Sequence, residues 1–245
     1  MTDQPLLGQC ALVTGGARRI GRQIALTLAR AGADVAITFL KSHEEATALA
    51  DQILALGRAA IAVECDIRSE ESVRRAVAFT AETFGRLDIL VNNAANFEAA
   101  PLDSMSLAQW DAIFASNARG PFLVTREALP HLRAVQGRII HLGSLGGIQA
   151  WPGHAHYCAS KAALHSLTQT MARAFAPDVT VNCVAPGFIE MEDSPHDAGA
   201  RFAAKTPMQR NGTAQEIADA VLFFATGPRF ITGQILVVDG GLGLV

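Results

Sequence analysis

Charge is scarce in this chain: Asp, Glu, Lys and Arg make up 18% of its 245 residues, below the ~25% of an average globular protein. Half of the residues (50%) are apolar. That balance excludes a disordered chain, which combines low hydrophobicity with high charge. A basic excess is also missing. The net charge is −3, which argues against a general nucleic-acid or anionic-membrane binder. Long hydrophobic runs are absent: the longest uninterrupted one is residues 220–225, against the ~20 residues that cross a bilayer. No membrane span is expected. Met1-Thr2-Asp3-Gln4-Pro5 offers no basic stretch ahead of an apolar one, so no secretory signal is expected either. Paired cysteines are missing too. Cys10, Cys65, Cys158 and Cys183 are widely scattered, with no Cys-x-x-Cys and no nearby His pair. No metal site is expected, and reduced, buried cysteines in a cytoplasmic protein are.

What is present is ample apolar material for a core. A single globule of this size buries roughly 70% of its extended-chain surface, so residues 1–245 are expected to form one domain. Strand-like segments lie at 10–14, 34–39, 60–64, 89–92, 137–142, 180–184 and 235–238. Helix-like segments separate them at 19–31, 44–56, 69–84, 107–134 (two stretches), 157–174 and 213–225. In the first helix Ile20, Ile24, Ala25 and Leu28 recur at helical spacing, and Gly32 closes it. Short apolar strands without polar alternation are buried on both faces, as in a parallel sheet with helices on either side. A closed barrel shares that alternation. The glycines after the first strand decide for an open α/β sheet, Rossmann-like, doubly wound and seven-stranded. Residues 190–209, with Pro195, Gly199 and Pro207, have no clear pattern. They follow a strand end, where ligands bind in such sheets, and are expected to form a mobile substrate lid.

The turn Thr14-Gly15-Gly16-Ala17-Arg18-Arg19-Ile20-Gly21 follows a strand and opens a helix. Glycines let backbone approach a pyrophosphate, and the helix start offers free N–H groups and a positive dipole end. Dinucleotide binding is the expectation. The second strand ends in Ile37-Thr38-Phe39-Leu40-Lys41-Ser42 without an acid. An NAD site usually places an acid there for the ribose hydroxyl. A ribose phosphate instead attracts cations, which Arg18 and Lys41 supply, with Ser42 as a donor. The expected cofactor is therefore NADPH. Asp66-Ile67 and Asn92-Asn93-Ala94 end the next two strands, where loops meet a bound dinucleotide.

Tyr157, the chain's one tyrosine, and Lys161 are four apart at the start of a predicted helix and share one face. A free phenol, with a pKa near ~10, is a poor acid–base catalyst at neutral pH. A nearby ammonium brings it toward the working range. Ser144 follows the preceding strand and is placed to donate to a substrate carbonyl. Asn117 lies in the long helical stretch before that strand.

Taken together, the 14–21 turn, Asp66, Asn92-Asn93-Ala94, Asn117, Ser144, Tyr157-Cys158-Ala159-Ser160-Lys161, Pro186-Gly187 and Asp239-Gly240-Gly241 resemble the short-chain dehydrogenase/reductase family over nearly the whole chain. The resemblance implies a catalytic tetrad of Asn117, Ser144, Tyr157 and Lys161. Tyr157 gives a proton while hydride comes from the nicotinamide, and Ser144 polarises the carbonyl. Lys161 lowers the Tyr157 pKa and binds the nicotinamide ribose, and Asn117 holds a water linking Lys161 to solvent. Asp66 meets the adenine, Asn92 its ribose, and Pro186, Gly187 and Ile189 the nicotinamide amide. The family is usually tetrameric, and the Ala-rich 157–174 helix suits a close two-fold contact.

Two departures stand out. Arg19 replaces the family's usual glycine and resembles the pteridine reductases, where such an Arg lies near pyrophosphate and pterin. Phe97 likewise resembles the aromatic that sandwiches a pterin, and a planar heterocycle stacks well on a ring. Those enzymes carry Asp where this chain has Ser144, the ordinary carbonyl-reduction pattern. The second departure is Glu190-Met191-Glu192, where many relatives place a Thr on the cofactor amide. The first reading is thus an NADPH-dependent ketone reductase acting on 3-oxoacyl thioesters or related carbonyls. A pterin reductase acting on C=N is the second, with Arg19 and Phe97 as substrate contacts. A third, an NADPH-binding sensor without turnover, is opposed by the presence of both Tyr157 and Lys161. His154 and His156 flank the Tyr157 helix, and polar capping of its start is the expectation for them.

Overall fold

The computed structural model describes residues 4–191 and 196–245. Among the described residues, seven strands join in one parallel sheet in the order β3-β2-β1-β4-β5-β6-β7. They are β1 (Cys10–Val13), β2 (Asp34–Phe39), β3 (Ala60–Glu64), β4 (Ile89–Asn92), β5 (Arg138–Leu142), β6 (Thr180–Pro186) and β7 (Ile235–Val238). Helices α1 (Arg19–Arg30), α2 (His43–Ala55), α3 (Glu70–Phe84), α4 (Leu107–Phe114), α5 (Gly120–Ala134), α6 (Ala155–Phe175), α7 (His196–Lys205) and α8 (Ala214–Thr226) cover its faces. None of them is long and apolar enough to cross a membrane.

β1 is apolar at every position and β4 at all but Asn92, and strand alternation splits the side chains of the sheet between two cores. Ala11, Val13, Val35, Ile37, Ile89, Val91, Ile140 and Leu142 pack with α1, α2 and α8. Cys10, Leu12, Ala36, Leu90 and Ile139 pack with α3, α5 and α6. The helix ends follow local chemistry. Ser69 accepts the Ser72 N–H at the start of α3, and Thr213 and Glu216 form a reciprocal cap at the start of α8. Gly32, at φ 104°, turns the chain out of α1.

The two helical stretches expected at 107–134 are α4 and α5, joined by one wide turn at Ala115–Arg119. One feature differs from the sequence-based expectation: the loop expected at 190–209 contains a helix, α7. Of that segment, Glu192 and its neighbours to 195 lie outside the described residues. The chain runs outward from β1 to β3, then returns to place β4 on the other side of β1. Connections after β1 and β4 diverge there, leaving a crevice at the C-terminal strand ends.

Candidate active site

A cleft of about 1360 Å³ opens at that crevice. Its floor starts with the turn after β1. Gly15 sits at φ 60°, and a Cβ there would press to 3.0 Å from the Ala94 Cα. Its N–H is taken by the Thr38 hydroxyl at 3.2 Å. Any Cβ on Gly21 would run into Asn93 Nδ2 at 2.5 Å. The turn is thus a cradle of bare backbone at a helix N-terminus, the form that fits a pyrophosphate. Thr14 lies behind it and accepts the N–H groups of Asn93 (3.0 Å) and Ala94 (3.1 Å). Asn93 donates back to the carbonyls of Thr14 (2.9 Å) and Gly15 (3.0 Å). Gly16 sits against Ile37, 2.8 Å from where its Cβ would be. Arg19 adopts φ 51°, a left-handed conformation, at the position where the family uses glycine.

At the end of the cleft beyond β2 and β3, Lys41, Ser42, Asp66 and Ile67 form the lining. Arg18 lines it as well and approaches Glu45 of α2 at 3.7 Å, an acid that the sequence reading did not connect to this site. Asp66 accepts two bonds from the Arg68 guanidinium, at 2.9 and 2.7 Å. The guanidinium hydrogen bond holds the carboxyl below its ordinary range. Asn92 is turned to the opposite face of β4. It is 2% exposed and donates to Thr125 Oγ1 at 3.0 Å. Its neighbour Asn93 faces the cleft instead, because side chains alternate along a strand.

Catalytic candidates converge from two elements. Ser144 follows β5, and Tyr157 and Lys161 come from the first turns of α6. The Ser144 hydroxyl accepts the Gly146 N–H at 3.0 Å and lies close to the Tyr157 hydroxyl. Lys161 Nζ donates to the Leu142 carbonyl at 2.7 Å and sits 5.9 Å from the Tyr157 ring centre. Burial lowers the Lys161 pKa to about 8. The resemblance implies that Lys161 lowers the Tyr157 pKa. In this arrangement burial raises it, and the opposing group is Ser144. The ammonium is turned to a backbone carbonyl, so the phenol stays protonated. Asn117 does not line the cleft. The wide turn swings it inward, as such turns often do beside functional sites. Its Nδ2 donates to the Asn96 carbonyl (2.9 Å) and Ser160 Oγ (3.1 Å), and its Oδ1 accepts the Asn96 N–H (2.8 Å).

The cleft mouth is aromatic. Phe97, 64% exposed, stacks on His154 at 4.8 Å and meets Tyr157 edge-on at 4.8 Å. Trp151 lies nearly parallel to Tyr157 at 6.2 Å, and Phe188 stacks on Phe202 at 4.5 Å. His154 occupies the first position before α6 but makes no side-chain capping bond. It is wall rather than cap. His156 is fully buried, and neither of its ring nitrogens finds a hydrogen-bond partner, so it does not cap the helix either.

A family model described as enoyl-(acyl carrier protein) reductase matches residues 15–243. A 3-oxoacyl-[acyl-carrier-protein] reductase from Synechocystis is 38% identical over 97% of this chain and 98% of its own. A short-chain dehydrogenase/reductase structure from Serratia marcescens is 37% identical, with a TM-score of 0.94 over 98% of this chain and 100% of that one. The chain belongs to the short-chain dehydrogenase/reductase family. It is an oxidoreductase, and the family binds NAD(P). A further family fold, a blue fluorescent protein from a metagenomic library, was solved in complex with NADPH. It is 38% identical, with a TM-score of 0.92 over 98% of this chain and 99% of that one.

Within this family frame, the cleft gathers Gly15, Arg18, Arg19, Ile20, Gly21, Lys41, Ser42, Asp66, Ile67, Ala94, Phe97, Ser144, Tyr157, Lys161, Pro186, Gly187 and Ile189. Thr14, Gly16, Asn92 and Asn117 are buried behind it. Sequence alone named Asn93 only as part of the segment after β4 and assigned no role to Trp151, Phe188 or Phe202. Trp151 had a signal, standing six residues before Tyr157. Phe188 and Phe202 had none, being distant in sequence from Tyr157 and Lys161.

Proposed function

We propose that this chain is an NADPH-dependent carbonyl reductase whose substrate is a 3-oxoacyl thioester or related ketone. The observation that carries the reading is the Ser144–Tyr157 hydroxyl pair at the cleft, with buried Lys161 behind it. The Synechocystis relative, named for 3-oxoacyl thioester reduction, supports the substrate class. The NADPH complex of a relative supports the cofactor, as does the acid-free end of β2 with Lys41 and Ser42 in the wall. When bound, the reduced nicotinamide supplies the hydride. Tyr157, kept protonated by burial, gives its proton to the carbonyl oxygen. Ser144 donates a hydrogen bond to the same oxygen, where negative charge develops. Lys161, its ammonium turned to the Leu142 carbonyl behind the phenol, would bind the nicotinamide ribose. Asn117 fixes α6 against the loop after β4, so Tyr157 and Lys161 keep their spacing. Arg18, Arg19 and the glycine cradle hold phosphate, and Pro186, Gly187 and Ile189 border the nicotinamide end. Residues 190–209 serve as the substrate lid. Assembly as a homotetramer in the cytoplasm belongs to the same reading, supported by exposed Leu107, Trp110 and Phe122 on α4 and α5.

A second reading, reduction of a pterin C=N, is favoured by the exposed Phe97 face and by Arg19 in the phosphate turn. Ser144 opposes it. One experiment separates the two. NADPH oxidation is followed by its absorbance with acetoacetyl-CoA, with a dihydropterin, and again with NADH. Turnover of the thioester with NADPH is the expected result. Turnover of the pterin alone would replace the first reading by the second, and no turnover with tight NADPH binding would leave a sensor.

A further inference from the structure

Beneath the serine turn lies a histidine that the proposed reaction does not use. His165 stands one helical turn beyond Lys161 on α6, and its ring is 6% exposed. The Ser144 N–H points at His165 Nε2, a long contact of 3.5 Å. The ring also hydrogen-bonds the backbone of Gly147. Since Nε2 faces Ser144, the bond to Gly147 falls to Nδ1, whose proton the Gly147 carbonyl accepts. Only the neutral Nδ1–H tautomer satisfies both contacts, because Nε2 must accept while Nδ1 donates.

The turn is shaped around this ring. A Cβ on Gly147 would come within 2.6 Å of His165 Cε1, and one on Gly143 would collide with Nε2. Both glycines leave the space that the imidazole fills. The ring therefore touches both ends of the 143–147 turn, and Ser144 lies between them. Ser144 is extended there, with φ −170°. Lys161, His141 and Cys183 surround the same spot from α6, β5 and β6. Burial and the Lys161 ammonium hold the His165 pKa at about 4, which keeps the ring neutral through the neutral range.

We propose that His165 is a positioning residue for Ser144, its neutral imidazole bridging the two ends of the serine turn so that the Ser144 hydroxyl is held toward Tyr157. The inference rests on the carbonyl-reductase reading above. Misplacing a catalytic group by about 1 Å costs up to ~100-fold in rate, and loosening a supporting contact is one way to do so.

The test compares His165→Leu, which keeps bulk and loses both bonds, with His165→Gln, whose amide oxygen reaches the Nε2 position. NADPH oxidation with acetoacetyl-CoA gives kcat, and NADPH fluorescence gives the cofactor Kd. The expected result is a fall in kcat of at least about tenfold for Leu, an unchanged NADPH Kd, and recovery of most of the loss in Gln. Equal kcat in wild type and the Leu variant would overturn the proposal, as would equal losses in Leu and Gln. A second readout needs no substrate. Ring nitrogen–proton correlation spectra of the histidine-labelled full chain at neutral pH, assigned by the Leu variant, are expected to show a protonated Nδ1 and bare Nε2 at His165. An Nε2–H tautomer or a cation would refute it even in a variant too unstable to assay. Wild type inactive on acetoacetyl-CoA would sink the ketone reading alone, and the spectra would then decide His165.

Discussion

Arg19 offers a test in which the sign of the effect, not only its size, carries the argument. It is the first residue of α1, and its φ of 51° is left-handed. That conformation costs a residue with a Cβ about 1–2 kcal/mol, and glycine nothing. Two truncations separate this cost from the loss of the side chain. Arg19→Ala and Arg19→Gly both remove the exposed guanidinium, so whatever contacts it makes, of order 0–1 kcal/mol at an exposed site, cancel between them. Glycine gives back about 0.4–1 kcal/mol through its more flexible unfolded chain. The balance leaves Arg19→Gly more stable than Arg19→Ala by about 1 kcal/mol, or ~2–4 °C in melting temperature for a chain of this size. At an ordinary helix position the order is reversed by about 1 kcal/mol in favour of alanine. Thermal unfolding followed by circular dichroism, without cofactor, reads the difference. A melting temperature for Ala equal to or above that of Gly would refute the strain argument. Cofactor binding is expected to move differently. Both variants lose the same cation from the cleft wall, so both weaken NADPH by roughly tenfold, the scale of one charged hydrogen bond. Strain kept at a binding turn for the sake of a charge is the interpretation that these two results together would support.

Tyr157→Phe should lower kcat for acetoacetyl-CoA by at least ~100-fold, the scale of general acid catalysis, while NADPH fluorescence titration gives an unchanged Kd; undiminished turnover would remove Tyr157 as the acid. Lys41→Asp should cut kcat/KM for NADPH by about tenfold or more and spare NADH, since the new carboxylate faces the ribose phosphate; an unmoved NADPH/NADH ratio in steady-state kinetics would end the case for NADPH drawn from β2. Stability should fall on mild acidification. His165 and His141 are held at about 4 and about 3 by burial, so below their ordinary value near ~6.5 the unfolded chain binds protons that the folded chain refuses. Each ring then costs about 2 kcal/mol by about pH 5, read as a drop in urea midpoint from about pH 7.5 downward that His165→Leu makes shallower. A flat profile in that window would show that the rings are not held neutral. Glu216, kept at about 2 chiefly by Arg210, begins to lose its contribution only below about pH 5, so the fall above that pH belongs to the histidines.

Strand positions were legible because β1 is a wholly apolar run and β4 is apolar up to Asn92, and the glycine turn was legible because Gly15 and Gly21 each meet a neighbour where a side chain would sit. Tyr157 and Lys161 stood out by their helical spacing and the rest of the proposed tetrad by family resemblance, yet the supports of these residues were not legible. Asn117 reaches Asn96 and Ser160 only through the wide turn at Ala115–Arg119; a shift from ordinary helix to a wide turn leaves no mark in apolar periodicity. Glu45 reads as an ordinary acid in the first turn of α2, and only the return of the chain brings it to Arg18. His165 falls on the buried side of α6, between Lys161 and Thr168. Its significance depends on two glycines from a different element. In each case the missing information is a contact between residues far apart in the chain, which local propensity does not contain.

The same constraint explains why the site stands where it does. The crevice exists because β4 lies beside β1 while their connections leave in different directions. Diverging loops are a weak scaffold by themselves, and side chains bind them back together at the strand ends. Thr14 ties the first turn to the loop after β4, and Asn93 returns the bond. Lys161 ties α6 to the end of β5, and Ser144 brings the turn after β5 against Tyr157. Each contact joins two of the segments that the topology separates. The polar residues at this end therefore fasten the crevice and, in the proposed reading, also carry its chemistry. Substitutions here should disturb geometry and rate together, whereas changes at the opposite strand ends should register as stability alone.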